Sequence, residues 1–435
     1  MAAFLIYIDM KDFEKLYEIY RKSNTVTTDS RKITKDCIFV ALKGEHFDGN
    51  DFALSVADEG IAGCVIADSK KLPEHERIFH TEDSLKTLQQ LAEHHRKVLG
   101  TKVLSITGTN GKTTTKELIT AVLSMKYKVT STQGNFNNHL GVPLTLLNIR
   151  PYTEIAVVEM GANHPLEIER LCEIAHPDYG IITNIGKAHL EGFGSFQGVI
   201  NTKNELYRYL RDNKGFVFLN KDNDILVDLA QGISQITYGS DDKADIHAKI
   251  STASPCLSIN WNNHSIQTNL VGEYNFENVM AAVATGKYFN VEENDIIHAI
   301  ESYIPTNNRS QIIKTEHNNI IMDAYNANPS SMEKSIRNFR NICGENNCLI
   351  LGDMLELGKE TDNEHNKIIF LTEELHFKRV IFVGNAFKRT ASAKYETFAN
   401  VEDLCHYLEN NKIKDFDILI KGSRGIQLEK VLNQL

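Results

Sequence analysis

Long apolar runs are missing from this sequence. The Phe4-Leu5-Ile6-Tyr7-Ile8 run lacks a basic flank and is too short for a secretion signal or a membrane span, and nothing later approaches a span. A surplus of positive charge is missing too. With 47 Lys and Arg against 57 Asp and Glu, the net charge is −10. That excludes a general binder of nucleic acid or membrane surfaces, because phosphate affinity of that kind needs clustered cations. A local basic pocket for an anionic small molecule remains allowed. The seven cysteines are scattered, odd in number and without metal-ligand spacing, with Cys343 and Cys348 as the close pair. Reduced thiols in the cytoplasm are the expectation. Internal repeats, coiled-coil heptads and low-complexity tracts are absent. What is present, 435 residues with 42% hydrophobic and 24% charged side chains, is a folded chain long enough for several domains.

The chain is organised around Val103 to Lys116, Val-Leu-Ser-Ile-Thr-Gly-Thr-Asn-Gly-Lys-Thr-Thr-Thr-Lys. An apolar, β-favouring run meets Gly108, Gly111 and Lys112-Thr113, and a helical pattern follows to Met125. Strand, turn and helix in that order suit a phosphate-binding loop. Backbone N–H groups of Thr109, Asn110 and Thr114 point at phosphate oxygens, Lys112 adds a compact positive charge, and the Thr113 hydroxyl can ligate Mg²⁺. The general motif would place its first glycine at position 106, where this chain has Ile106.

Residues 1–100 read as a separate small α/β unit. It has strands at Cys37–Leu42 and Gly63–Ala67, a helix from Asp51 to Glu59, and another from Ser84 to Leu99 with Leu85, Leu88, Leu91 and Ala92 on one face. Ser30, Arg31 and Lys43 could together hold a diphosphate, or could be ordinary turn and surface residues. Residues 101–304 alternate strand and helix in the way that builds a mostly parallel sheet. Glu159 ends the apolar run Ile155–Val158, where a further Mg²⁺ contact would sit or where a capping acid would serve. His189 follows the strand Gly180–Ile185 and could bind metal, phosphate or neither. Residues 235–271 read as short alternating strands with polar breaks, an antiparallel insertion or edge. Asn275 and Asn278 share a helix face and could bond an adenine edge or simply start the helix. Residues 305–435 form a third α/β unit, with strands at Asn319–Asp323, Cys348–Gly352, Arg379–Gly384 and Asp417–Gly422. Ligands collect beyond the carboxyl ends of such strands, which draws attention to Asp323, Asp353 and the Lys421-Gly-Ser-Arg424 turn.

In order along the chain, these stretches resemble the Mur ligase family, the ATP-dependent amide ligases of peptidoglycan precursor synthesis. The family's loop also lacks the first glycine, so Ile106 fits it. The likeness takes in Thr28-Asp-Ser-Arg31, Phe39 to Gly44, Gly134-Asn-Phe-Asn-Asn138, Gly141 to Leu147, Glu159 to Ala162, Asn184 to His189 and Lys203. It continues through Asn275 to Asn278, Asn307-Asn-Arg309, Asp323-Ala-Tyr-Asn-Ala-Asn-Pro329 and Leu351 to Gly358. The stretches at 134–138, 323–329 and 351–358 resemble members that add D-alanyl-D-alanine. The Asp-Asn-Pro-Arg tetrapeptide of the diaminopimelate-adding members does not occur. Asp323-Ala324 departs from the family, which often has two acidic residues there.

The resemblance implies a three-domain α/β fold. Residues 1–100 would bind the UDP-sugar-peptide, 101–304 would be a P-loop ATPase-like domain, and 305–435 a Rossmann-like domain closing on ATP and the dipeptide. It implies ATP, two Mg²⁺ sites and a carbamate on Lys203 as cofactors. The substrates would be UDP-N-acetylmuramoyl-tripeptide and D-alanyl-D-alanine, and a monomer is expected. Lys112 and the loop would hold the phosphates, Thr113 and Glu159 the first Mg²⁺, and His189 with carbamylated Lys203 the second. On residue type alone Lys203 would be a solvated surface lysine. Asn275 and Asn278 would meet adenine, while Arg309 and Asp323 would complete the ATP site. Asn326, Asn328 and Lys421 would hold the dipeptide. Ser30, Arg31 and Lys43, with Asn135, Asn137 and Asn138, would face the UDP-sugar-peptide. The rival readings are the member adding diaminopimelate or lysine, a folylpolyglutamate synthetase, and a non-catalytic ATP-binding regulatory protein.

Overall fold

The structure is a computed structural model that describes residues 10–23, 25–306 and 308–435. The Phe4–Ile8 run and Asn307 of the Asn307-Asn-Arg309 motif lie outside the described residues. The chain is α/β and divides into two compact units, one of residues 1–105, 127–161 and 169–178, the other of residues 106–126, 162–168 and 179–435. Among the described residues no helix is long and apolar enough to cross a membrane.

In the first unit, β1 (Val26–Thr27), β2 (Ile38–Val40), β3 (Cys64–Ala67) and β4 (Ile78–His80) pair in sequence order, all parallel. Every residue of β2 and β3 is buried, as a parallel sheet covered on both faces requires. Phe39, Val65, Ala53 and Val56 meet in its core. The helix Ser84–Leu99 starts where the Asp83 carboxylate accepts from Lys86 N, and it stops at Gly100, whose φ is 62°. β5 (Lys102–Thr107) follows; β6 (Val129–Ser131) and β7 (Ile155–Glu159) pair in parallel.

In the second unit, β8 (Tyr179–Ile182), β9 (Phe216–Asn220), β10 (Ser234–Gly239) and β11 (Ile246–His247) pair in that order, all parallel. This corrects the expectation for residues 235–271. Antiparallel pairing begins only with β12 (Lys249–Thr252), β13 (Ser258–Trp261) and β14 (His264–Gln267). Much of β10 is solvent-facing, and partial burial toward a sheet edge gives a parallel strand the mixed polarity of an antiparallel one.

The last sheet contains β15 (Gln311–Lys314), β16 (Asn319–Asp323), β17 (Asn347–Gly352), β18 (Arg379–Val383), β19 (Glu396–Phe398) and β20 (Asp417–Lys421). Its order is β15-β16-β20-β17-β18-β19, with only β15 antiparallel. The final strand is thus inserted beside β16, with Asp323 opposite Lys421. Side chains alternate between two cores, Ile320, Ile350, Ile381 and Ile418 on one face, and Leu349, Leu351, Phe382 and Leu419 on the other. Ile350 is fully buried, so Ile350→Ala is expected to cost about 2–5 kcal/mol in urea unfolding. An unchanged midpoint would contradict this packing.

Candidate functional site

The loop after β5 owes its shape to two glycines. Gly108 has a φ of 140°, and a Cβ there would lie 2.0 Å from Thr183 Oγ1. Gly111 has a φ of 77° and a Cβ there would lie 2.4 Å from Asn278 Oδ1. No L side chain meets both demands at either position. The helix Lys112–Ser124 starts directly after Gly111 with no side-chain cap, which leaves its first amides aimed out of its N-terminus. Lys112 Nζ donates to Gly108 O at 2.8 Å and Thr109 O at 3.0 Å, keeping its charge inside the loop.

Amide side chains hold this loop from outside. Thr109 N donates to Asn184 O at 2.9 Å and Asn110 N to Asn184 Oδ1 at 3.0 Å. Thr183 Oγ1 donates to Asn110 O at 2.6 Å. Asn184 Nδ2 donates to Glu277 Oε1 at 2.9 Å, and Asn220 Nδ2 to Glu277 Oε2 at 3.3 Å; burial pushes the Glu277 carboxyl above its usual range. Asn275 and Asn278, both buried, sit at the start of the helix Phe276–Tyr288 without capping its backbone. Asn278 Nδ2 donates to Asn275 Oδ1 at 2.8 Å, Asn275 Nδ2 to Val271 O at 2.8 Å, and Thr115 Oγ1 to Asn278 Oδ1 at 3.0 Å. The pair therefore ties the helix Phe276–Tyr288 to the helix that follows the loop.

A second contact reaches the loop from beyond β16. Asn328 Nδ2 donates to Asn110 Oδ1 at 2.8 Å, and Asn110 Nδ2 to Ser330 Oγ at 3.2 Å. Asn328 is also the N-cap of the helix Pro329–Ile342, in a reciprocal capping box with Ser331. At the end of β16, Asp323 Oδ2 lies 2.6 Å from the buried Lys421 Nζ and accepts from Ser335 Oγ at 3.3 Å. Tyr274, whose hydroxyl is 3.0 Å from Ser310 Oγ, is held protonated by burial and then by the Asp323 charge. The Arg309 guanidinium covers the Tyr325 ring at 3.7 Å, and its Nε is buried without a hydrogen-bond partner. Asn326 is exposed and bonds its own turn, Oδ1 to Ala327 N at 2.9 Å.

Lys203 is the largest departure from residue-type expectation. It is 2% exposed on the helix Phe196–Asp212, its Nζ 5.3 Å from the centre of the Phe193 ring. Burial first, and then the Lys112 charge, push its amine down to about 7. No ion pair to it occurs among the described residues. His189 adopts a φ of 49° and its Nδ1 is engaged by the Glu356 carboxylate, which is held below its usual range by that contact. Among the described residues no three His, Cys, Asp or Glu side chains converge as a metal cluster.

In the first unit, Glu159 is 2% exposed and fixed on two sides, by Asn137 Nδ2 at 2.8 Å to its Oε1 and by Thr132 Oγ1, which accepts from Glu159 N at 2.9 Å. Asn138 Oδ1 accepts from Gly141 N at 2.9 Å at the start of the helix Gly141–Leu147. Asn135 is exposed. Ser30 and Arg31 lie in a one-turn 3-10 helix. There the Arg31 guanidinium takes both Asp29 oxygens at 2.9 and 3.0 Å, while Lys43 is exposed and 3.9 Å from Asp48. Among the described residues no hydrogen bond or ion pair joins Lys43 to Ser30 or Arg31.

Sequence reasoning left Glu277, Ser330, Tyr325 and Glu356 without roles. Asn184 alone carried a signal, a polar residue at the end of a buried strand.

Three family models match in succession: "Mur ligase family, catalytic domain" over residues 22–96, "Mur ligase middle domain" over 106–286, and "Mur ligase, glutamate ligase domain" over 308–424. The chain is 35% identical to the UDP-N-acetylmuramoyl-tripeptide–D-alanyl-D-alanine ligase of Bacillus subtilis, over 94% of this chain and 92% of that one. Among solved structures, MurF from Acinetobacter baumannii superposes with a TM-score of 0.85 at 29% identity, covering 94% of this chain and 93% of that one. MurF from Thermotoga maritima in complex with ADP gives a TM-score of 0.82 at 26% identity, covering 96% and 97%.

Two outcomes are expected from the loop's geometry. Asn278→Ala leaves buried partners unsatisfied and should lower stability by about 1–3 kcal/mol, with faster hydrogen exchange at residues 108–114; unaltered exchange there would refute its bracing role. Gly108→Ala should weaken ADP binding at least about tenfold, since strain and the Thr183 contact displace the loop; calorimetry showing native affinity would refute that.

Proposed function

This chain belongs to the Mur ligase family, and from that premise we propose that it joins D-alanyl-D-alanine to UDP-N-acetylmuramoyl-tripeptide in peptidoglycan precursor synthesis in the cytoplasm. ATP is cleaved to ADP and phosphate. The peptide carboxylate takes the γ-phosphoryl group as an acyl phosphate, and the dipeptide amine then displaces phosphate with formation of the new amide. The observation that supports this reading best is the pair of hydrogen bonds in which Asn110 accepts from Asn328 and donates to Ser330. The turn that resembles dipeptide-adding members is thereby seated on the phosphate loop.

The three segments 1–100, 101–304 and 305–435 are proposed as the UDP-sugar-peptide, ATP and closing domains, in agreement with the spans of the three family models. Lys112 would turn from the carbonyls of Gly108 and Thr109 onto the β- and γ-phosphates. Of loop residues Gly108 to Thr114, Thr109 and Asn110, expected as backbone donors, give their amides to Asn184, so the amides at the helix start, Gly111 to Thr114, would meet phosphate instead. Arg309 has an unpaired Nε for a phosphate oxygen, and Asp323 would take the ribose end. The remaining polar capacity of Asn275 and Asn278 would meet adenine. Thr113 and Glu159 would hold one Mg²⁺, with Asn137 orienting Glu159, and His189 with Lys203 a second. When bound, these ions neutralise phosphate charge as it develops.

A carbamate on Lys203 suits what surrounds that amine. It is buried and feels the Lys112 charge, which together outweigh the fields of Glu205 and Glu167; with no ion pair among the described residues its neutral form is favoured, and that neutral amine would take CO₂, releasing a proton and leaving an anionic carbamate. Asn326 and Asn328 would orient the dipeptide. Lys421 would assist through Asp323, which already neutralises its charge. Ser30, Arg31, Lys43, Asn135, Asn137 and Asn138 would line the UDP-sugar-peptide site.

Phosphate release with UDP-muramoyl-tripeptide, ATP and Mg²⁺ tests the proposal. It should require D-alanyl-D-alanine and fail with lysine, diaminopimelate or glutamate. Release with one of those three instead would transfer the assignment to another member. Lys203→Ala should be inactive and partly restored by short carboxylic acids such as acetate; full activity without them would remove the carbamate.

A further inference from the structure

The incoming dipeptide is a zwitterion whose amine must approach the activated carbonyl, and its far carboxylate needs a cation of its own. The end of the last sheet supplies one that the family likeness leaves without a role. Because β20 lies beside β16 with Lys421 opposite Asp323, the turns that follow these strands leave the sheet side by side. They are stitched together by Lys421 Nζ to Asn326 O and Ser423 Oγ to Ala327 O, each at 3.4 Å.

Tyr325 stands between the two turns, half-buried. One guanidinium, Arg309, lies 3.7 Å from its ring centre and a second, Arg424, lies 5.5 Å from it. The two cations differ in setting. Arg309 is half-buried, while Arg424 is exposed. Three other arginines of this segment, Arg337, Arg379 and Arg389, each grip a carboxylate, while Arg340 lies 3.8 Å from Cys343 Sγ and over the Phe377 ring. Arg424 has no such ion pair among the described residues. Its backbone is nevertheless well defined, in a 3-10 turn with Ile426 N bonded to Ser423 O at 2.9 Å. The nearby Asp323 does not compete for it, since Lys421 neutralises that charge at 2.6 Å. The result is a guanidinium without an ion pair among the described residues, carried on a hydrogen-bonded turn beside the one that carries Asn326 and Asn328. Its fork geometry matches a carboxylate.

We propose that Arg424 binds the terminal carboxylate of the incoming dipeptide and that Tyr325 sets its separation from Arg309 at the nucleotide end, so that this pair selects a dipeptide over a single amino acid. The inference rests on the ligase reading above. A single amino acid carries its carboxylate about 3.5 Å nearer to its amine. It can present the amine or reach Arg424, but not both.

The test compares wild type, Arg424→Ala and Arg424→Lys in phosphate release with D-alanyl-D-alanine and with its neutral analogue D-alanyl-D-alaninamide. Wild type should prefer the acid by about 10- to 100-fold in kcat/KM. Arg424→Ala should lose that preference by a rise in KM for the acid, with KM for ATP and the amide's kcat/KM unchanged. Arg424→Lys should recover part of the preference. Retention of the acid preference in Arg424→Ala would overturn the assignment, as would an equal loss for acid and amide or a matching rise in KM for ATP. Absence of phosphate release from wild type with the dipeptide would instead overturn the ligase reading itself.

Discussion

Close approach of backbone to side chain at Gly108 and Gly111 is the constraint on which the nucleotide site depends. Thr183 and Asn278 occupy the space where Cβ atoms would be, so the loop can lie flat against the ends of β8 and the helix Phe276–Tyr288. From there the braces follow. Asn184 takes two consecutive amide groups of the loop, and Asn278 takes the hydroxyl of Thr115. Each brace satisfies a polar group whose burial would otherwise be unfavourable. A loop held in this way spends the amides of Thr109 and Asn110 on its own shape and leaves those at the uncapped helix start to face phosphate without further ordering, which is how pre-organised donors contribute most to stabilising charge.

Features encoded over a few neighbouring residues were legible in the sequence. The phosphate loop, the helix Ser84–Leu99 and the buried strands of the last sheet all announce themselves through turn chemistry and apolar patterning. Ile106, where the general motif has glycine, is a fully buried residue near the end of β5. Properties fixed by distant contacts were not legible. The Lys203 side chain lies on a helix face that only tertiary packing buries. The polarity of β10 is that of a partly exposed strand and says nothing about the direction of its neighbour. The bond between Asn110 and Asn328 joins residues 218 apart in sequence.

Charge placement shows the same division. Arg31 and Arg424 are both exposed arginines next to a serine, and residue type does not separate them. The structure does. Arg31 is closed in a bidentate pair with Asp29 within its own turn, and it holds the Asp29 carboxyl down at about 2. Arg424 faces an aromatic ring and keeps its donors. A diphosphate contact at Arg31 therefore has to share the guanidinium with Asp29, whereas an anion at Arg424 meets no internal competitor.

Asn328 has a consequence beyond the contact it makes. Its Oδ1 accepts from Ser331 N at 2.9 Å and from Ser330 Oγ at 3.0 Å, while its Nδ2 donates to the loop. One amide thus serves as both the cap of the helix Pro329–Ile342 and a sensor of where Asn110 lies. A shift of the loop on taking up or releasing phosphate changes the capping of that helix directly. The position of Asn110 and the cap of that helix are thus tied through one side chain.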